Sequence, residues 1–449
     1  MPSGGDHRDA PLTRALRRVV DLRPAETRPL LLAGAYFFCI LASYYILRPM
    51  REAMGVAGGV ENLAWLFTGT LVTMLAVHTP FAALVARLPR RRFVSLTNRF
   101  FLVNILLFFA ALHLLPARGD VWLGRVFFVW TSVFGLFVVS IFWAVMVDVF
   151  DPEQGKRLFG FIALGGTLGG IAGAGLTAAL ARPLGPVQLL LLSAVLLELG
   201  LRCVLRLTRE TGASPRPRAA ADPELPIGGS AIGGIAHVAR SPYLLGICAY
   251  MLLFTLGSTV LYFHQARLAE RAFTDPALRT AFFARLDLAV NGLTALTQVF
   301  LTGRILRRLG VAVTMTLLPA LSLLGFTLLG LAPLLGAFVL FQVLRRAGEF
   351  AVAKPTRELL YTVMDREDKY KAKNFIDTFV YRAGDQMAAW SYTGFLAIGM
   401  GMSAISFALA PLAAVWLVLA LWLGRRQSAL AAARPQPPLG SPSPEPTAA

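Results

Sequence analysis

The sequence predicts an all-α polytopic membrane protein: twelve transmembrane helices in two six-helix halves, with both termini in the cytoplasm. Three observations predict it. The 449-residue chain is 56% hydrophobic and 15% charged, with a mean hydropathy of +0.63, more apolar surface than a water-soluble fold of this length hides. Apolar runs of about 20 residues recur, each long enough to cross a hydrocarbon core of roughly 30 Å. The short alternating segments of a membrane β-barrel are absent. Of the 43 Lys and Arg residues, 33 fall on the face that holds the N-terminus and 9 on the other, which is the positive-inside pattern. The net charge of +18 follows from that asymmetry, so nucleic acid is not expected as a partner.

Residues 1–29 form a basic cytoplasmic tail. The run that follows is too long for a signal-peptide core and lacks a clear cleavage site, so it is read as a retained first span. The first bundle covers 30–207, with spans at 30–48, 61–86, 93–115, 121–148, 157–181 and 186–207. Residues 208–240, rich in Pro, Gly and Ser, form a cytoplasmic linker. The second bundle covers 241–426, with spans at 242–266, 281–304, 311–331, 334–360, 373–398 and 401–424. The Ala/Pro-rich tail 427–449 is expected to be disordered. Six spans, a long linker and six more suggest parallel halves related by an axis along the membrane normal. A weak repeat agrees. Asp151, Glu153 and Arg157 stand in the loop after the fourth span as Asp365, Glu367 and Lys371 stand in the loop after the tenth. Acid and base in equivalent loops suit cytoplasmic latches; ordinary loop chemistry is the plain alternative.

Charge at bilayer depth persists only where a partner or a polar cavity offsets its cost, so intramembrane charges mark candidate sites. The first span ends Tyr44-Tyr45-Ile46-Leu47-Arg48-Pro49-Met50-Arg51-Glu52. Tyr45, Arg48 and Arg51 offer an aromatic face beside guanidinium forks that suit phosphate or carboxylate; snorkelling to the interface is the alternative. Pro49 is expected to loosen the helix. The eighth span carries Arg285, Asp287 and Asn291. Asp287 is either an interfacial partner of Arg285 or a coupling carboxylate. In the tenth span Arg345 and Glu349, and Lys354 and Glu358, are spaced for intrahelical pairs, with Pro355 breaking a helix hydrogen bond. Glu349 is a third coupling candidate, beside Asp287 and Asn291. In the eleventh span Arg382 lies about 14 Å in from Lys373 at 1.5 Å per residue. Asp377, Tyr381 and Asp385, spaced by four, share a face with it. Arg382 and Asp385 are a structural bolt or part of a substrate site, with Lys371 and Lys373 at its cytoplasmic mouth. Glu198 and Arg202 in the sixth span read as a simple pair.

The fifth span reads GFIALGGTLGGIAGAG. Gly165, Gly169 and Gly173 lie four apart, a spacing that lets helix backbones approach closely; the expectation is a seam between the sliding halves. No Lys-Ser/Thr follows, so this is not a nucleotide loop. HExxH and GxSxG are missing, and the five histidines show no metal-ligand spacing. An enzyme, a cofactor and a bound metal are therefore not expected.

These patches resemble the major facilitator superfamily, and within it the ATP/ADP nucleotide translocases of plastids and intracellular bacteria. Ile46-Leu47-Arg48-Pro49-Met50-Arg51-Glu52 is similar to that group's first-span I-L-R-D-x-K-D. Lys354-Pro355-Thr356-Arg357-Glu358-Leu359-Leu360-Tyr361 is similar to D-P-T-K-E-M-A-Y, and Lys369–Asp377 to K-x-K-G-K-A-A-x-D. Lys156-Arg157-Leu158-Phe159 resembles a further signature. The resemblance implies a twelve-helix secondary transporter of the inner membrane that works by alternating access. Its central cavity would be lined by spans 1, 4, 5, 7, 8, 10 and 11, and nucleotides would be the first substrates to consider among anionic, phosphorylated metabolites. Arg51 stands where the group has its functional lysine. Arg382-Ala383-Gly384-Asp385 departs from Arg-x-Gly-Lys by an acid for a base. A proton-coupled carrier of another small metabolite, with Asp287 or Asp385 taking the proton, stays open. So does a non-transporting membrane scaffold or assembly factor that keeps the fold.

Overall fold

A computed structural model describes residues 23–87, 90–114, 120–211, 241–364, 372–373 and 375–433, and these are almost entirely helical. Among the described residues, six α-helices precede residue 212: α1 (Thr27–Ala57), α2 (Leu63–Arg87), α3 (Arg90–Leu114), α4 (Asp120–Val149), α5 (Pro152–Leu180) and α6 (Leu189–Glu210). After it come α7 (Pro242–Ala272), α8 (Pro276–Phe300), α9 (Thr302–Leu331) and α10 (Leu335–Gly348). A π-helical turn, Glu349–Ala353, joins α10 to α11 (Lys354–Leu360), and a second π turn, Ile376–Val380, leads into α12 (Tyr381–Ala397). The last helix is α13 (Met402–Ala433). Each span read from the sequence falls on one of these helical passages. Eight of the helices are long and apolar enough to cross a membrane by length and composition.

Contacts group the chain into two compact units. The first comprises Met1–Pro226, Thr259–Ala295 and Gln386–Gly399; the second comprises Ile227–Ser258, Leu296–Asp385 and Met400–Ala449. The first unit is therefore built on α1–α6 but also takes in stretches of α7, α8 and α12 from far along the chain.

Helix α1 is the spine of the first unit. Buried residues recur on every side of it, from Leu30 to Val56, as in a helix enclosed by neighbours. It continues through Pro49, which is buried, and ends nine residues beyond the predicted boundary at Leu47–Arg48. Its main partner is α5. A Cβ added at Gly165, Gly169 or Gly173 would collide with the backbone of Gly34, Phe38 or Ala42. The glycine seam thus lies between two helices of one unit, not between halves that slide. Four-residue spacing placed it on one face, but the spacing could not say which helix that face meets. Aromatic packing fills the rest: Phe37 stacks on Phe142 with ring centroids 4.0 Å apart, and Trp130 on Phe134 at 5.4 Å.

In the second unit α9 packs along α13, with Gly424 against the backbone of Ala312. The kink at Gly310 (φ 66°) needs a residue without Cβ. The core gathers Tyr243, Leu244, Ile247, Tyr250, Met315, Leu360 and Trp416. Pro355 explains the first π turn. It has no N–H to give the carbonyl of Ala351 four residues back. That carbonyl accepts instead from Thr302 Oγ1 at 2.8 Å, and the carbonyl of Phe350 from Gln298 Nε2 at 3.3 Å.

Candidate functional site

Two groups of buried charge stand out, one in each unit.

In the first unit the charges hang on α1 and meet α8 and α7. Arg48 donates through Nη1 to Asp287 Oδ1 at 2.8 Å. Asp287 is only 3% exposed, whereas Arg285 points outward. The expected interfacial pair of Asp287 with Arg285 is thus replaced by a tie from α8 to α1. One helical turn on, Tyr45 donates to Asn291 Oδ1 at 3.3 Å, and Gly170 of α5 lies against both side chains. Arg51 pairs with its neighbour Glu52, donates to Ser132 Oγ at 3.1 Å and lies 4.8 Å over the Phe128 ring. Tyr262 of α7 completes the group by donating to Glu52 Oε2 at 2.5 Å. Further along, Thr68 of α2 meets Gln386 and Trp390 of α12 at 3.0 and 3.2 Å. Two guanidinium groups therefore meet two carboxylates. Tyr262, Thr68 and Gln386 carried no sequence signal, because nothing in spacing links positions more than 200 residues apart.

In the second unit the charges follow α10, the first π turn and α11. The i, i+4 pair expected of Arg345 and Glu349 is not the arrangement found. Arg345 (3% exposed) donates to Ser322 Oγ at 3.2 Å, Ser258 Oγ at 3.0 Å and the Phe254 carbonyl at 3.3 Å. Glu349 accepts instead from Arg357 Nη1 at 3.4 Å. The π turn is the reason: its wider coil absorbs about one residue, so a spacing of eight acts as seven would in a regular helix and returns to the same face. Glu358, expected to pair with Lys354, is bound by Lys373 at 2.5 Å. The second π turn likewise breaks the four-residue register of Asp377, Tyr381 and Asp385. Asp377 is exposed, while Arg382 and Asp385 are half-buried, with Arg382 5.9 Å over the Tyr381 ring. Gly384 packs tightly on Thr255.

The loop before α5 has structural tasks. Asp151 caps α5 by accepting from the Gln154 N–H at 2.8 Å, in a capping box. Arg157 pairs with Glu26 at 2.9 Å. Burial pushes the Glu26 carboxyl up, but hydrogen bonds from Arg157, the Arg23 N–H and Gln154 outweigh it and hold the group below its ordinary range. Glu153 lies on the first turn of α5. The partner loop, with Asp365, Glu367 and Lys371, lies outside the described residues. Glu198 and Arg202 do form their i, i+4 pair, at 3.0 Å. Among the described residues no three His, Cys, Asp or Glu side chains gather where a metal would be held.

Paired charges buried inside helices of membrane length define an integral membrane protein with a polar interior as the class. Residues 30–384 match the Major Facilitator Superfamily, and the chain belongs to that family. It is similar to ADP,ATP carrier protein 1 of Chlamydia trachomatis, at 22% identity over 476 aligned positions that cover 89% of this chain and 89% of the relative. It is also similar to ADP,ATP carrier protein 2 of Chlamydia pneumoniae, at 24% identity over 223 positions covering 44% and 41%. Among solved structures, a bacterial homologue of the iron transporter ferroportin in an inward-facing state superposes with a TM-score of 0.61 at 12% identity, covering 91% of this chain and 100% of that one. A POT family peptide transporter does so at 0.59 and 16%, covering 93% and 99%. These likenesses show the fold.

Proposed function

We propose that the chain is a secondary active transporter of an anionic, phosphorylated metabolite, with nucleotide exchange as the first substrate class to test. The observation that carries this reading is the Arg48–Asp287 pair. Arg48 is the cation best suited to grip a phosphate, and it is already held by a carboxylate from a helix far along the chain. An incoming anion must displace Asp287 from it, so binding and release of the α1–α8 tie become one event. That is the coupling alternating access requires, because a ligand moves a conformational equilibrium only through a differential interaction with its two states. Tyr45 and Arg51 flank the pair. Arg382 is proposed as an anion contact of the second half, with Asp385 beside it in the substrate site and Lys371 and Lys373 at the cytoplasmic mouth; Asp151, Glu153, Arg157, Asp365 and Glu367 remain the proposed cytoplasmic latch. The proposal keeps twelve spans in two halves, both termini in the cytoplasm and the inner membrane as location.

The same pair favours a second reading. A proton on Asp287 would also free Arg48, as in a proton-coupled carrier of another metabolite, with Asn291 beside it.

The test is thermal stabilisation of the purified protein across nucleotides, sugar phosphates and organic acids. A ligand at one hundred times its Kd adds about 2.7 kcal/mol of apparent stability. ATP or ADP stabilisation that disappears in Arg48→Ala and Arg51→Ala, followed by counterflow in liposomes, supports exchange. Uptake that follows an imposed pH gradient without a counter-substrate supports the proton-coupled reading. A panel without any response, with transport lacking for every compound, removes both and leaves the scaffold.

A further inference from the structure

The buried charges of the second unit do not balance. Arg345 and Arg357 both lie over the ring of Phe254, at 5.5 and 5.9 Å from its centroid. Every acceptor given to Arg345 is neutral: two serine hydroxyls and one backbone carbonyl. The only carboxylate bonded to either guanidinium among the described residues is Glu349, and at 3.4 Å its bond to Arg357 is long for a charge-assisted contact. Among the described residues, four buried polar atoms around this point have no partner: Glu349 Oε2, Arg357 Nε, Tyr250 Oη and Tyr361 Oη. Glu349 and Arg357 are 8% and 7% exposed, and both tyrosines are fully buried. Buried polar atoms are otherwise almost always satisfied. Three of these four can donate, and the excess charge is positive. Donors around an unbalanced pair of arginines describe a place for an oxyanion.

We propose that Arg345 and Arg357 form a proton-linked oxyanion site in which Glu349 is the resident stand-in: when Glu349 takes up a proton it leaves Arg357, and the phosphate or carboxylate head of the cargo takes its place. One proton then accompanies one anionic head. The site rests on the transport reading for its cargo, but its chemistry does not depend on Arg48 or Asp287. The groups facing Glu349 are Arg345 on α10, Lys354 and Arg357 on α11, Tyr250 on α7 and Tyr381 on α12. Asp377 acts on Arg357 and Tyr361. An anion arriving among Arg345, Lys354 and Arg357 repels the Glu349 carboxylate and so favours its protonated form. Glu349 opens the first π turn, Glu349–Ala353, whose wider coil supplies backbone that can adjust as the site fills.

The probe is inorganic sulfate, whose charge is constant between pH 5.5 and 8, binding to the full chain in nanodiscs and read by thermal shift. In the wild type, sulfate affinity falls about tenfold per pH unit above the ionisation of Glu349, as one-proton linkage requires. In Glu349→Gln the response persists and becomes independent of pH. In the double variant Glu349→Gln with Arg357→Gln, which leaves no unpaired carboxylate behind, sulfate has no effect. A pH dependence in Glu349→Gln equal to that of the wild type overturns the proposal. So does sulfate binding that survives in the double variant. The readout is separate from transport. Metabolite counterflow that proceeds unchanged in Glu349→Gln, with sulfate binding insensitive to pH in the wild type, sinks this site and leaves the transport reading. Glu349-dependent sulfate binding without transport of any metabolite does the reverse.

Discussion

The two charged groups differ in balance and in the stiffness of their frame. In the first unit Arg48 has Asp287, Arg51 has Glu52, and Tyr262 and Tyr45 take up further acceptor positions. Their helix, α1, is held against α5 by backbone contact at three glycines. In the second unit, among the described residues, two arginines face one carboxylate that bonds only Arg357, four polar atoms are idle, and the supporting helix is broken by a π turn ahead of Pro355. The difference teaches that cation count alone does not locate a binding site. A charge-balanced group ties helices together and yields only to a competitor, even with Arg51 Nε and Asn291 Nδ2 left without a partner among the described residues. A group with surplus positive charge on pliable backbone can exchange its one carboxylate for the anion of a ligand.

The largest expected effect tests the frame. Gly169→Leu sets a side chain into the backbone of α1, where neither helix can yield by rotating a side chain. It should abolish recovery of monodisperse protein, whereas Gly160→Leu, with open space around it, should be recovered as the wild type is. Equal recovery of both would show that the rigid seam is not needed. Next comes the balanced pair. Asp287→Leu strands Arg48 and should cost about 3–5 kcal/mol in denaturation of the solubilised protein. Arg48→Met combined with Asp287→Leu should restore more than half of that. A double variant as unstable as the single one would mean the pair is not a unit.

A smaller effect is expected in the second group. Glu349→Gln removes the negative charge but keeps the shape and an amide oxygen that can accept from Arg357, so it should cost about 1 kcal/mol while altering the pH dependence of anion binding. A loss as great as that of Asp287→Leu would erase the contrast between the two groups. The smallest effect lies outside the membrane. The Glu26 carboxyl is held below its ordinary value of 4.5. A carboxyl depressed in the folded state contributes stability that is present above the unfolded value and lost as pH falls through the folded one. Glu26→Gln should therefore leave stability above pH 5 slightly reduced and flatten its decline below pH 4.5. An unchanged acid branch would show that the Arg157 contact contributes nothing.

Much of this protein was legible because membrane burial forces simple patterns. Helix positions follow from runs of apolar residues, since backbone groups in lipid must be bonded within the segment. The Glu198–Arg202 pair follows from helical periodicity, and the glycine face of α5 from four-residue spacing. Arg48 and Arg51 were conspicuous as charges in an apolar run. Where backbone geometry left the regular helix, legibility stopped. Glu349 was assigned to Arg345 on i, i+4 spacing, and Asp377 was aligned with Asp385 in the same way. In both places a π turn changed the register. Pro355 was a visible warning of the first; the second had none.

By itself the sequence determined the all-helical membrane class, the positions of the helical passages and which of them carry charge. Composition and periodicity act over one or two helical turns, and lipid leaves the backbone few alternatives. Only the tertiary structure decided who partners whom. Asp287 lies 239 positions from Arg48, and Tyr262 lies 210 from Glu52. Such pairs are chosen by helix packing and by the cost of leaving a buried charge alone, which the order of residues along one helix does not record.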